Sequence, residues 1–487
     1  MANDPRMGSV DAVLFGVEGD PLLRSVITVV VMLDGEPDRS ALLERSDRWS
    51  RVYPKLRQRP VGSSMSVAPP RWETDPNFDF EYHIRFRRLP RRHGAPADVL
   101  EYAERMSEQD FDHARPLWEM AVLTDLDDGA AAVILKIHHS ITDGMGGMQM
   151  SSVLFDRTPE PPDLGPLPKP PVPHHANLVE RIRQATDFEA KEIVSNLSVA
   201  AGRFVGGTKD LLTNPIDSTV AAGALTVATA KMIAPQGPPL SPLMKDRSLS
   251  VAFTTLEFPL PDLQAVATAT ESTINEVFVA AVAGGLRRYH LRQGTDVHAL
   301  RVNMPVSNRS ETDAPGGNRW IPARFIVPTD TDDPVDRIRE LRPILHGAQH
   351  DPALGVSGIL YRLLTALPRQ VTTMAVGSMM KGVDFVATNV PGPPVDVYMA
   401  GAKVTAVIPF APKGGAATNI ALLSYAGRVL LGINSDPAAV SDPGELTTCI
   451  REGFDEILAL GAQRAAVGLT LVDQVTKASL TEDSVKP

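Results

Sequence analysis

The stretch Val133–Gly147, "VILKIHHSITDGMGG", decides how the rest of the chain is read. An apolar run ends in two adjacent histidines, a carboxylate follows four residues after the second, and glycines close the segment. Upstream, "RPLWEMAVLTDLDDGAAA" supplies another apolar run, and Asp128-Gly129 between the two is a strong hairpin signal. Antiparallel pairing about that turn is expected to set Trp118 close to opposite His139, within a shift of one or two residues.

Strand alternation distinguishes the two histidines. Val133, Leu135, Ile137 and His139 project from one face; Ile134, Lys136 and His138 project from the other. His139 therefore continues an apolar face, where an imidazole is either hydrogen-bonded into the core or held ready for proton transfer. Its ordinary pKa near 6.5 leaves a neutral ring able to accept a proton from an alcohol. A metal would need three or more ligands, and the opposed faces make joint use of His138, His139 and Asp143 awkward. Asp143-Gly144 reads as the point where strand, sharp loop and helix start meet. His174-His175 lacks the following acid and glycine and reads as solvated linker.

The chain has 487 residues, too many for one ordinary core, so two domains are expected. Hydrophobic residues make up 43% and charged ones 22%, as in a globular protein, and the net charge of −10 argues against a dedicated nucleic-acid binder. A single cysteine, Cys449, excludes an internal disulfide and a thiolate metal cluster. "MANDPRMGSVDAVLF" carries no secretory pattern, and no apolar run reaches the length of a spanning helix, so a cytoplasmic setting is expected. "STVAAGALTVATAKMIAP" (218–235) comes nearest, and packing within the protein is its simplest reading.

Eight prolines in "RTPEPPDLGPLPKPPVPHH" (157–175) mark a seam, followed by a long helical pattern at 177–204 and a second proline cluster at 234–243. This gives a first domain at 1–156, a connecting segment at 157–245 and a second domain at 246–487. Both halves mix types. Strands are expected at "SVITVVVML", "RVNMPVS", "RFIVPTD", "VDFVATNV" and "GRVLLGI", and helices at "ADVLEYAERMSEQDF", "TINEVFVAAVAGGLRRYHL" and "ELTTCIREGFDEILALG". The fold class is mixed α/β. No glycine-rich dinucleotide or phosphate loop appears. The five arginines of "HIRFRRLPRRH" (83–93) read first as a solvated face, and contact with CoA phosphates or anionic lipid is the alternative.

"HHSITDG" resembles the HHxxxDG signature of the CoA-dependent acyltransferase superfamily, which includes chloramphenicol-acetyltransferase-like enzymes and condensation domains. The rest is similar to one branch, the bacterial wax ester synthase/acyl-CoA:diacylglycerol acyltransferases. "SVDAVLFGVE", "DFEYHI", "FDHARPLW", "TINEVFVAAVAGGLRRY", "MPVSNR" with "GGN", "TNVPGPP" and "LLSYAGRVLLGINSD" follow in family order. Asn275-Glu276 stands where the family usually has Asn-Asp.

The resemblance implies two chloramphenicol-acetyltransferase-like domains with a channel between them, and His139 as general base toward the acceptor hydroxyl. It implies a supporting role for His138, and for Asp143 a structural anchor that typically holds an arginine. Gly144, Pro116, Leu117, Trp118, Asn275 and Glu276 belong to its motifs and channel, Asn275 being placed near the developing oxyanion. A plain core role is at least as good a reading of Trp118. Long-chain acyl-CoA is the implied donor, a substrate with no further cofactor or metal, and diacylglycerol or a fatty alcohol the acceptor. Peripheral attachment to the inner membrane face or to lipid inclusions goes with it. Two alternatives stand beside this: an acyltransferase fed by a carrier protein, and a non-catalytic lipid-binding protein of the same fold.

Overall fold

The computed structural model describes residues 6–62, 69–89, 94–172, 237–307, 318, 320–350, 361, 364 and 369–461. The helix expected at 177–204, the stretch 218–235 and His174-His175 lie outside them.

"VITVVVML" is β-branched at six of eight positions and becomes β1 (Val26–Leu33). It is flanked by β6 (Ala131–His138), then β5 (Trp118–Thr124) and β4 (Ile84–Arg88). On its other side lies β12 (Ala402–Phe410) with β11 (Tyr398–Met399), so the second half of the chain completes the first sheet. β2 (Gln58–Val61) and β3 (Arg71–Thr74) form a separate ribbon. The β5–β6 hairpin turns at Asp127–Gly129, where Asp128 and Gly129 take φ of 55° and 73°. Trp118 sits opposite Ile137, two residues from His139. Helix α1 (Ser9–Gly16) leads into β1, and α2 (Arg39–Val52) and the one-turn α3 (Phe80–His83) connect the early strands. Helix α4 (Pro96–Glu108) packs across β1 and β6, and α5 (Gly144–Ser151) follows the histidine pair.

The second sheet runs β7 (Ala252–Pro259), β14 (Arg428–Ser435), β13 (Thr418–Tyr425), β10 (Phe385–Pro391), β8 (Ala299–Ser307), β9 (Trp320–Pro328). The helices of this half are α6 (Leu260–Ala269), α7 (Ile274–Arg292), α8 (Pro334–Gln349), α9 (Arg369–Met380) and α10 (443–461). α7 is buried without a break from Glu276 to Leu286, which explains its lack of a polar stripe. A Cβ on Gly453 would stand 2.3 Å from the carbonyl oxygen of Ala281, and one on Gly285 2.5 Å from Cα of Ile450. Glycine at both positions lets α7 and α10 cross backbone to backbone.

Two large clusters of buried apolar side chains result, one per sheet, and the first includes Phe253, Leu423, Tyr425 and Leu430 from the second half. Phe253 stacks on Phe410 with centroids 4.0 Å apart. Tyr425 Oη donates to the carbonyl of Val404 at 2.9 Å. Among the described residues, no helix is long and apolar enough to cross a membrane.

Candidate active site

The β6 alternation holds in three dimensions. Val133, Leu135, Ile137 and His139 line one cavity of about 250 Å³, together with Ile27, Val29 and Val31 of β1. Its opposite wall comes from the second sheet and includes Val386, Thr388, Val390, Ala421 and Leu423. Most of the wall is apolar, as an extended hydrocarbon chain requires.

His138 points the other way and is fully buried. Its Nδ1 accepts the Ser140 backbone N–H at 3.0 Å, with Ser140 Oγ 2.7 Å away. The ring proton therefore sits on Nε2, which faces Oε1 of Glu18 at 2.8 Å. Burial pushes the Glu18 carboxyl up, but the adjacent His138 ring and the Ser25 N–H, which donates to Oε1 at 2.9 Å, outweigh it and hold it below its usual range. The same face carries Lys136, whose Nζ donates to the Gln109 carbonyl at 2.6 Å and lies over Phe111. Burial pulls that amine down to about 8. The mixed face is thus a buried polar layer beneath α4.

His139 is built differently. Its backbone N–H donates to the Ser25 carbonyl at 2.7 Å, tying the end of β6 to the start of β1. Its Nδ1 lies 2.9 Å from Oδ1 of Asn318. That amide has one permissible orientation: Oδ1 also receives the Trp320 indole N–H at 3.1 Å, and Nδ2 donates to the His139 carbonyl at 2.6 Å and Asp11 Oδ1 at 2.8 Å. Oδ1 being an acceptor, Nδ1 of His139 must carry the proton, which leaves Nε2 unprotonated in the neutral ring. Burial lowers the His139 pKa; its own backbone carbonyl, the charge of Asp143 and Asn318 resist that without reversing it. The ring is held neutral with one basic nitrogen.

Asp143 caps α5: its Oδ1 accepts the Gly146 N–H at 2.7 Å, and its carbonyl takes Gly147 N–H at 2.7 Å. Gly144 is needed for contact between the sheets' elements, since a Cβ there would lie 2.7 Å from Cγ2 of Val390 on β10. Pro116, Leu117 and Trp118 are buried and do not line the cavity. Trp118 stacks on His83 with centroids 4.6 Å apart, meets Trp49 edge-on at 5.3 Å, and donates to the Leu56 carbonyl at 2.7 Å. Trp49, from α2, reaches the wall in its place, where Phe155, Trp320 and Phe410 also lie.

Asn275 is one position removed from the cavity, its Oδ1 accepting from Nδ2 of the lining residue Asn389 at 2.7 Å. Glu276 closes a capping box: Thr273 Oγ1 accepts the Glu276 N–H at 3.2 Å, and Glu276 Oε2 accepts the Thr273 N–H at 3.0 Å. A glutamate where the family carries aspartate suits that reach. The arginines at 85, 87 and 88 lie on β4 at the sheet edge, Arg85 meeting Glu119 at 3.3 Å. Asn318, Trp320, Asp11 and Glu18 escaped individual notice in the sequence. Three of them stood inside the quoted motifs "SVDAVLFGVE" and "GGN".

Two mixed sheets with a channel between them, and a histidine pair split across one sheet, define the chloramphenicol-acetyltransferase-like class of acyltransferases. The family described as "Wax ester synthase/diacylglycerol acyltransferase catalytic domain" matches residues 7–278, and the corresponding C-terminal domain matches 317–458. The chain belongs to the wax ester synthase/diacylglycerol acyltransferase family and is an acyl-CoA-dependent acyltransferase. A Mycobacterium tuberculosis H37Rv protein named for diacylglycerol O-acyltransferase activity is 32% identical, covering 93% of this chain and 92% of its own. A second from the same strain is 28% identical over 88% of this chain and 89% of its own. Among solved structures, the wax ester synthase/diacylglycerol acyltransferase of Marinobacter aquaeolei VT8 superposes with a TM-score of 0.59 at 19% identity, over 94% of this chain and all of the other. The first condensation domain of the calcium-dependent antibiotic synthetase superposes at 0.61 with 16% identity, over 95% and 97%. Both share the fold.

Proposed function

We propose that this chain esterifies the free hydroxyl of diacylglycerol with a long-chain acyl group from CoA, His139 acting as the base. Nε2 removes the acceptor proton as that oxygen attacks the thioester carbonyl, and returns it to the CoA thiolate as the tetrahedral intermediate collapses. The observation that carries this reading is the Asn318-fixed tautomer, which presents a basic nitrogen to a mainly apolar cavity. The names of the mycobacterial relatives favour diacylglycerol, and a fatty alcohol yielding a wax ester is the second acceptor the family offers. His138 and Asp143 serve as supports, the first bracing the strand end against Glu18, the second fixing the start of α5. The chain divides at 1–156, 157–245 and 246–487, the β11–β12 hairpin crossing back to the first sheet. It works at a membrane or inclusion surface, where both lipid substrates reside.

The test incubates purified protein with palmitoyl-CoA and either dioleoylglycerol or hexadecanol, following thiol release and ester product. Ester is expected with diacylglycerol, and His139→Ala should lose roughly 10²–10⁴ in rate. Wild-type turnover in that variant would remove His139 from the mechanism, and thiol release without ester would make the enzyme a thioesterase.

A further inference from the structure

The cavity has a polar end as well as an apolar one. In the second sheet Val386 of β10 pairs with Asn303 of β8 on one side and with Asn419 of β13 on the other. All three lie in one row on the cavity wall. Asn303 and Asn419 are 3% and 2% exposed, and among the described residues Oδ1 of each is buried without a hydrogen-bond partner. The orientation of Asn419 is forced, because its Nδ2 donates to the Pro412 carbonyl at 2.8 Å and so turns Oδ1 away. Among the described residues, the Nδ2 of Asn303 meets only the weak acceptor Met380 Sδ, at 3.9 Å. An unpaired buried acceptor costs about 1–3 kcal/mol, so two in one row on a cavity wall need an occupant that donates.

The row lies at the His139 end. β12 pairs Phe410 with Thr28, so residues after Phe410 run past Ser25, whose carbonyl holds the His139 N–H. Gly415 there packs against Leu23, a Cβ on it meeting Leu23 Cδ2 at 3.1 Å. The other end, near Val31 and Val133, is aliphatic. An acyl-CoA has the same polarity. Its hydrocarbon chain lies on one side of the thioester, and on the other lies the pantetheine arm, with two amide N–H groups and one hydroxyl.

Resting on the acyl-CoA reading above, we propose that Asn303 and Asn419 form a subsite that accepts hydrogen bonds from the pantetheine arm of CoA. The thioester then lies beside His139 with its acyl chain directed along β1 and β6. Diacylglycerol offers only one hydroxyl, which the reaction itself uses, so it cannot satisfy the row.

Asn303→Leu tests the subsite, as it keeps the side chain's shape and deletes the acceptor. Removing an unpaired buried carbonyl should leave the melting temperature at or above that of the unaltered protein. The KM for palmitoyl-CoA should rise about tenfold, from one lost hydrogen bond, with the KM for dioleoylglycerol unchanged. With S-palmitoyl mercaptoethanol, a thioester lacking the amides, the variant and the unaltered protein should be equal. Asn303→Ala, which is smaller and carries no acceptor, replaces it if the leucine variant fails to fold. Equal losses with both thioesters, an unchanged KM for palmitoyl-CoA, or a rise in the diacylglycerol KM instead would each overturn the proposal. Calorimetric titration of CoA alone reads the same contact without turnover. A chain that binds CoA through Asn303 but makes no ester would refute the proposed function and keep the subsite.

Discussion

Oδ1 of Asn318 stands 2.9 Å from Nδ1 of His139 across 179 residues of sequence, and takes the Trp320 indole N–H on its other lone pair. One amide thus decides which nitrogen of the candidate base is free. Asn318→Leu keeps the volume and removes that decision, so kcat should fall about 10- to 100-fold with KM for acyl-CoA nearly constant. A base must be neutral, and burial holds the His139 pKa below its ordinary 6.5, so activity should be lost as pH falls through a midpoint under that value. Asn318 raises the pKa, so its loss should move that acid limb lower still. An unchanged kcat with a shifted melting temperature would reduce Asn318 to a structural link.

The split between His138 and His139 was legible because period-two alternation is local, and so were the hairpin at Asp128-Gly129 and the strands at 25–33, 301–307, 324–330, 383–390 and 427–433. The insertion of β12 between β1 and β11 was not, because "AKVTAVIPF" pairs with a strand 371 to 382 residues earlier and no local pattern encodes a partner. Asn318 was visible as part of "GGN", but its job depends on three side chains from distant elements. Trp118 proved to face Ile137, the two-residue difference arising in the turn geometry about Asp128. Glu276 looked like a departure within a catalytic motif, yet a box-forming glutamate after Thr273 was already written in "TINE".

Acid should destabilise the fold through His83. The ring is stacked between Trp118 and Phe78, donates from Nδ1 to the Trp118 carbonyl at 2.7 Å, and is pushed by burial to a pKa of about 4. Above the ordinary 6.5, folded and unfolded chains both hold it neutral; between 6.5 and about 4 only the unfolded chain gains the proton, so stability falls as pH falls through that window. The loss is on the order of 3 kcal/mol. Glu18 and Asp436, both held below their usual range, add to it at lower pH. His83→Phe keeps the stacking, and urea midpoints taken from pH 7 to 4 should decline less steeply than in the unaltered protein. Parallel curves would show that His83 does not titrate in this way.

Gly144→Ala should destabilise by about 1–3 kcal/mol, since the new methyl would meet a β-branched side chain that has few rotamers to retreat into. Val390→Ala alone opens a small void. The double variant should be more stable than the sum of the two single changes allows, by at least about 0.5 kcal/mol. Strict additivity in thermal melts would mean that α5 and β10 do not press on each other at this point.

Glu276→Ala breaks the capping box of α7 and should cost about 0.5–2 kcal/mol, while Glu276→Gln, which still accepts from the Thr273 N–H, should stay close to the unaltered protein. Neither change should alter kcat more than about twofold, because the side chain contributes to the helix end and to Arg342 at 3.6 Å, not to the cavity wall. A large kcat loss in the glutamine variant would return Glu276 to the catalytic machinery.

Chain-length preference should be set along β6. His139, Ile137, Leu135 and Val133 follow one another on the same face, and each step of two residues advances about 6.8 Å, so Val133 lies roughly 20 Å from the base. Val31 pairs with Val133 across the β1–β6 ladder and lines the same stretch, which makes this the deep end of the acyl limb. Val133→Phe adds volume there and leaves the region beside His139 untouched. The KM for palmitoyl-CoA should rise severalfold and that for octanoyl-CoA stay level, inverting the preference without lowering kcat for the shorter donor. Equal loss on both donors would mean that the acyl chain takes another path. The same variant should leave the Asn303→Leu effect on KM unchanged, because the two side chains act on opposite sides of the thioester and their energies should add.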